Sequence, residues 1–216
     1  MIGRSGLEFP TFVNANAVGD VCDAKRRTLY LITDMSEQEQ LRKEAHHDAL
    51  TGLYTRGHFL EVLSSHTSMV ARHGQAMSLC LCDLDNFKQA NDRFGHRMGD
   101  RVLETFAWVV SQEIRKEDCA GRLGGDEFIL MFPQVDAFVA AVCMERIRRR
   151  FESIVFDSEE GESFRCSVTQ GLVDYPEERV SDEAFIDLAD KSLYRAKELG
   201  RNCTVVNMEV VGTSAA

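Results

Sequence analysis

The 216-residue sequence has no run approaching the roughly 18 consecutive apolar residues that a membrane-spanning helix requires. Its N-terminus also has no apolar h-region of a secretory signal. Together these absences predict a cytoplasmic protein without a membrane span. The seven cysteines include no C-x-x-C pair, and Cys80 and Cys82 sit inside an apolar, strand-like run, so they read as buried reduced thiols. Positive charge is scarce: 25 Lys and Arg stand against 35 Asp and Glu, a formal net charge of −10. That balance argues against a general role on nucleic acid, whose phosphates need a basic face, but leaves room for a nucleotide site served by a few local cations. There is no internal repeat and no low-complexity segment. What remains is ordinary for a globular chain, 44% hydrophobic and 28% charged.

Residues 1–35 differ from the rest. "MIGRSGLEFPTFVNANAVGD" carries Gly, Pro and Asn punctuation with little periodicity, and "RRTLYLITD" then reads as one strand. This is too little to bury a core, so the segment is expected to be a tail or a fragment of another domain. Asp34 or Ser36 offers an N-cap for a polar connector helix over 36–47, where Leu41 and Ala45 fall four apart. A solvated helix and a dimerising or signal-transmitting one fit that pattern equally.

From residue 48 to 208 helices and strands interleave, with a tail expected over 209–216. "RGHFLEVLSSHTSMVARHG" is helical and "MSLCLCDLD" a strand. "GDRVLETFAWVVSQEIRKED" is a long amphipathic helix with Val102, Phe106, Val109 and Ile114 on one face. "CAGRL" and "EFILMFP" are strands separated by Gly-Gly-Asp, as in a hairpin. A helix from "DAFVAAVCMERIRRRFESI", a strand from "SFRCSVTQGLVDY", a helix from "DEAFIDLADKSLYRAKELG" stopped by Gly200, and a strand from "NCTVV" follow. The predicted fold is α/β: a mixed central sheet flanked by helices, of ferredoxin-like kind, with one antiparallel hairpin.

Carboxylates gather at strand ends: Asp83 and Asp85 after "MSLCLC", and Asp126 with Glu127 at the hairpin. If the two strands are neighbours, Asp83 and Asp126 converge on one hard cation such as Mg2+, which completes its shell with water and substrate phosphate. Spacing alone also lets Asp83 end the strand and Asp85 cap the next helix. Gly124 and Gly125 either make a plain turn or let backbone N–H groups face an anion. Lys88, Arg122, Lys191 and Arg195 are cations available to a phosphate, the last two four apart on one helix face.

Four ordered motifs between Asp48 and Val206 resemble one family, the GGDEF-domain diguanylate cyclases. "DALTGLYTR" is similar to the family's D-x-L-T-G-L-x-N-R, and "DLDNFKQANDRFGHRMGD" to its D-x-D-x-F-K-x-x-N-D-x-x-G-H-x-x-G-D. "GGDEF" is the signature, and "ADKSLYRAKELGRN" resembles the closing A-D-x-A-L-Y-x-A-K-x-x-G-R-N. The resemblance implies condensation of two GTP into cyclic di-GMP by a homodimer with two Mg2+ (or Mn2+) ions per site. It implies metal ligation by Asp83, Asp126 and the Leu84 carbonyl, and activation of the ribose hydroxyl by Glu127. Asn91 and Asp100 take guanine-reading positions, and a carboxylate accepts from guanine N1–H and N2–H2 together, which adenine cannot offer. Phe87 (through its backbone), Lys88, Lys191 and Arg195 take phosphate positions, beside the glycines Gly124 and Gly125, with Arg122 a further candidate.

The resemblance also implies an inhibitory site for cyclic di-GMP at the R-x-x-D formed by Arg115 and Asp118, with Arg146 as a secondary arginine. Arginine forks onto phosphate and stacks on guanine. Two positions depart from the pattern: Thr55 replaces Asn, and Gln170 replaces a small residue. "LYLITDMSEQEQLRKEAHHDALTGL" resembles the end of a PAS sensor and its linker helix, so an upstream sensor domain is an expected partner. The alternative function is an inactive domain that binds GTP or cyclic di-GMP as a receptor. The intact set Asp83, Lys88, Gly124, Gly125, Asp126 and Glu127 favours turnover, and Asp100 argues against a mixed guanine–adenine product.

Overall fold

The structure is a computed structural model describing residues 11–18, 27–34, 46–158 and 161–211. The chain divides into two units, 1–45 and 46–216. In the first, β1 (Thr11–Val18) and β2 (Arg27–Asp34) form an antiparallel ladder with Thr11 opposite Asp34. β2 is the expected strand. β1 lies where the sequence reading found only punctuation; its Asn-Ala-Asn-Ala run does alternate with the period of a strand, and pairing supplies what Asn and Ala lack in strand propensity. Of the connector helix expected over 36–47, residues up to 45 lie outside the described residues; His46 is helical and His47 bridges to Tyr54.

In the second unit β3 (Tyr54–Thr55) leads into α1 (Arg56–His73), β4 (Met77–Leu84), α2 (Phe87–Phe94) and α3 (His96–Glu113). The hairpin of β5 (Cys119–Gly124) and β6 (Glu127–Pro133) follows, then α4 (Ala137–Ser153) and a ribbon of β7 (Phe156–Asp157) with β8 (Ser163–Phe164). β9 (Val168–Asp174), α5 (Asp182–Glu198), β10 (Thr204–Val206) and β11 (Glu209–Val211) complete it. The seven-stranded sheet has the order β11-β10-β9-β4-β6-β5-β3. Its central strands, β9-β4-β6-β5, pair antiparallel, while β10 and β3 join parallel to β9 and β5. Strand, helices, two strands, helix, strand is the ferredoxin-like arrangement expected. β11 carries the sheet to Val211, past the boundary drawn at 208.

Helices cover both faces, so the central strands are apolar on both sides. Cys80, Cys82, Leu84, Phe128 and Leu130 pack with α3 and α4, around Phe106 and Phe151. Leu79, Leu81, Ile129 and Met131 pack with α1 and α5, around Phe59 and Phe185. Cys80 and Cys82 are free and buried as expected, their sulfurs 3.7 Å apart, and burial pushes the Cys80 thiol well above its ordinary value.

Three local expectations change. α3 begins at His96 and stops at Glu113; Ile114 is already extended, so the R-x-x-D segment is a turn and not a helix end. "SFRCSVTQGLVDY" is broken into β8 and β9 at residues 165–167. Asp85 does not cap α2: its buried carboxylate accepts from the Ser167 and Thr169 hydroxyls, each at 2.6 Å, and from the Asn202 N–H at 3.1 Å. The Ser167 carbonyl also accepts the Asp85 N–H, which carries the β4–β9 pairing one residue further. Thr55, by contrast, caps α1, accepting from the His58 N–H. No helix among the described residues is long and apolar enough to cross a membrane.

Candidate active site

β4 and β6 adjoin, and their register sets the site. Asp83 pairs with Glu127, and the Leu84 N–H donates to the Asp126 carbonyl at 3.2 Å. Burial pushes the Asp126 carboxyl above its ordinary pKa, the nearby Asp83 charge pushes the same way, and Lys197 and Arg122 oppose. The Asp83 carboxylate lies 2.7 Å from the Lys197 ammonium. Two half-buried carboxylates in each other's field, with one flanking ammonium, form an oxygen-only donor set short of positive charge. Such a set fits a hard divalent cation. Glu127 is exposed at the start of β6.

The glycines make the turn: Gly125 has φ 55° and Gly124 φ 149°, with a bulge between Arg122 and Gly124. Arg122 is committed to this turn. Its Nε and Nη2 donate to the Gly125 carbonyl at 3.1 and 2.8 Å, and Nη1 reaches the Asp48 carboxylate at 3.2 Å. Asp48 also accepts from the Thr51 N–H and hydroxyl. Arg122, a further phosphate candidate by sequence, therefore ties the "DALTGL" turn to the "GGDEF" turn.

After β4 the chain turns through Asn86, at φ 58°, into α2, and Asn86 provides no side-chain cap. The first N–H groups of α2, at Phe87 and Lys88, thus open beside Asp83 without a capping side chain, the arrangement that receives a phosphate. Phe87 is buried and Lys88 exposed. α2 and α3 pack against each other and bring Asn91 to the first turn of α3, where Gly99 and the exposed Asp100 lie. A Cβ at Gly99 would collide with the carboxamide of Asn91. Gly99 is therefore what allows Asn91 its position, a role the motif did not reveal.

α5 contributes a residue the sequence reading missed. Lys191 and Arg195 share one face, but Lys191 lines a cavity with Asp174 and Asn207 at the end of β9 away from Asp83. Arg195 pairs with Glu198 at 3.3 Å. Lys197 is the residue that reaches the carboxylates. It stands four after the buried Leu193, on the edge of the stripe facing the sheet, and that periodicity is the signal that could have found it.

A second group of charges surrounds the end of α3. The Arg115 N–H donates to the Asp118 carboxylate at 2.8 Å and the Asp118 N–H to the Arg115 carbonyl. Burial pushes the Asp118 carboxyl up. Arg150 and Arg146 both clasp Glu113, at 2.7 and 2.9 Å, and hold its carboxyl below the usual range. The Cys143 thiol, pushed up chiefly by burial, donates to the Glu113 carbonyl at 3.5 Å. Glu113 and Arg150, which lies over the Trp108 ring at 4.7 Å, were not anticipated from sequence.

The family model for "Diguanylate cyclase, GGDEF domain" matches residues 45–203. The chain belongs to the GGDEF family. Diguanylate cyclase DgcS of Shewanella oneidensis is 35% identical to this GGDEF chain over 173 residues, 80% of this chain and 56% of that protein. Diguanylate cyclase A of Treponema denticola is 34% identical over 160 residues, 72% of this chain and 42% of that one. The chain thus spans about half the length of these curated relatives. Among solved structures, the coiled coil and GGDEF domain of DgcB from Caulobacter crescentus, in complex with c-di-GMP, superposes with a TM-score of 0.76 at 30% identity. That match covers 79% of this chain and 90% of that one. SiaD of Pseudomonas aeruginosa, solved with its activator SiaC, gives 0.72 at 33%, covering 79% and 65%.

Proposed function

We propose that this GGDEF domain is an active diguanylate cyclase that joins two GTP into cyclic di-GMP and releases two pyrophosphates. The observation that carries the reading is the meeting of Asp83 and Asp126 at the end of β4, beside Lys197 and the uncapped start of α2. Divalent ions held by Asp83, Asp126 and the Leu84 carbonyl would neutralise phosphate charge and acidify the attacking hydroxyl. The rest falls to the chain. Asn91 and Asp100 hold the guanine, and the Phe87 and Lys88 N–H groups and the Lys197 ammonium hold the phosphates.

The 3′-oxygen of one GTP attacks the α-phosphorus of the other; a P–O bond forms as the bond to the β-phosphate oxygen breaks, and pyrophosphate leaves. Glu127 is the acceptor for the hydroxyl proton. A second transfer in the opposite sense closes the ring. Each domain holds one GTP, so two domains face one another and the rate rises with protein concentration.

Product returns to Arg115, Asp118 and Arg146. Glu113 already occupies Arg146 and Arg150, so an anionic ligand there competes with a built-in carboxylate. The test is incubation with GTP and Mg2+, with the product identified by mass. Wild type should give cyclic di-GMP and Asp126→Ala none, while Arg115→Ala should lose inhibition by added product. Equal turnover by wild type and Asp126→Ala defeats the metal assignment. Binding of GTP without product by wild type points to a receptor instead.

A further inference from the structure

Away from the carboxylates, the second unit carries a cluster the cyclase reading does not use. His46, His58 and Glu61 place one potential ligand atom each within 4.8 Å of one another. His58 and Glu61 stand three apart on α1, on one face, and His46 ends the stretch preceding the "DALTGL" turn. The His58 Nδ1 to Glu61 Oε2 separation is 3.4 Å. Two ligands at about 2.0–2.1 Å from a tetrahedral ion stand about 3.4 Å apart, so this pair already has the edge of a zinc tetrahedron.

The rings of His46 and His58 stack at 3.8 Å, 3° from parallel, and Tyr54 meets His58 edge-on at 4.7 Å. Tyr54 thereby holds the His58 ring. Parallel rings aim their lone pairs side by side, so seating an ion requires rotation of His46 about its terminal torsion, which is broad and soft. The start of α1 opposes a cation through its dipole, and Glu61 supplies the offsetting charge.

We propose that His46, His58 and Glu61 bind a divalent transition metal of the zinc class, with water in the fourth position. Two imidazoles exclude Mg2+ as the preferred ion, because Mg2+ takes oxygen donors and imidazole suits zinc and its neighbours. The site is distinct in residues and in metal from the Asp83–Asp126 pair, and it stands whether or not the domain turns over GTP. A bound ion would fix residue 46 against α1, where the sequence places the end of the connector.

The test uses the full chain stripped with chelator and held in excess Mg2+, which fills the carboxylate pair and leaves imidazole alone. Co2+ is titrated as a spectroscopic stand-in for zinc, and Zn2+ is then titrated by calorimetry. One ion per chain should bind, with visible Co2+ bands of nitrogen and oxygen coordination. His46→Ala and His58→Ala should each weaken binding on the order of tenfold or more. Glu61→Ala, at an exposed position, keeps the fold and should weaken binding too, which covers a His58 variant that fails to fold. Absence of binding by wild type, or affinity and bands unchanged in His46→Ala and Glu61→Ala, overturns the proposal.

Discussion

The guanidinium of Arg122 lies 3.2 Å from the carboxylate of Asp48, across 74 positions of chain. Both side chains are mostly buried, with 16% and 26% of their surface exposed, so water screens the pair only in part. A double-mutant cycle of Arg122→Ala and Asp48→Ala should return a coupling on the order of 1–2 kcal/mol in urea unfolding. Additive losses would mean the contact contributes nothing to stability.

The same contact has a pH signature. Burial would raise the Asp48 carboxyl, but the Thr51 hydroxyl and N–H and then Arg122 outweigh it, and its folded pKa lies below the ordinary value. The ionised form is thus favoured by folding. Its contribution is fully present above the ordinary carboxylate value and is lost as pH falls through the depressed folded value. Asp48→Asn should flatten the acid limb of the stability curve relative to wild type; identical slopes in chemical denaturation below pH 4 would refute this.

Gly99→Ala should displace the Asn91 carboxamide while leaving the hairpin untouched. The KM for GTP should rise about tenfold, the loss of one substrate hydrogen bond. Steady-state kinetics with an unchanged KM would remove Asn91 from the guanine site.

Lys197→Ala should lower kcat/KM on the order of a hundredfold by removing the ammonium beside Asp83. Lys191→Ala should stay near wild type, since Lys191 lies at the other end of β9. The reverse ranking would restore Lys191 to the phosphate position that the family resemblance gave it.

Asp126→Asn removes a half-buried charge from the field of Asp83. Turnover should vanish, and Mg2+ should raise the Tm of wild type but not of the variant. The metal-free Tm should hold or rise, because like-charge repulsion is relieved. A marked fall in the metal-free Tm would show that Asp126 is structural.

Much of this was legible in the chain. β4 and β6 could be read because helices cover both faces of the sheet, which makes their apolar runs continuous, and the hairpin because two glycines and an aspartate interrupt such runs. Asp83 and Asp126 followed from strand ends. The misses have a common physical cause: sequence spacing reports which residues share a face, and not which way that face looks. Lys191 and Arg195 do share a face of α5, but Lys197 is on the side toward Asp83. Arg122 offered a cation, and only the fold brings Asp48 to take it. β1 was overlooked because Asn and Ala weigh little as strand formers, although their alternation was visible.

Asp85 gives the Asp-Leu-Asp tripeptide a division of labour. Two acids of one type stand two residues apart, and the second is wholly occupied by hydroxyls of β9 and its approach and by the peptide after α5. It works as a rivet through three stretches of chain, fastening the tip of β4 so that its neighbour Asp83 needs no neutral hydrogen-bond partner to stay in place. Asp83 is left to its ammonium neighbour Lys197, and its address is kept by the acid two residues on.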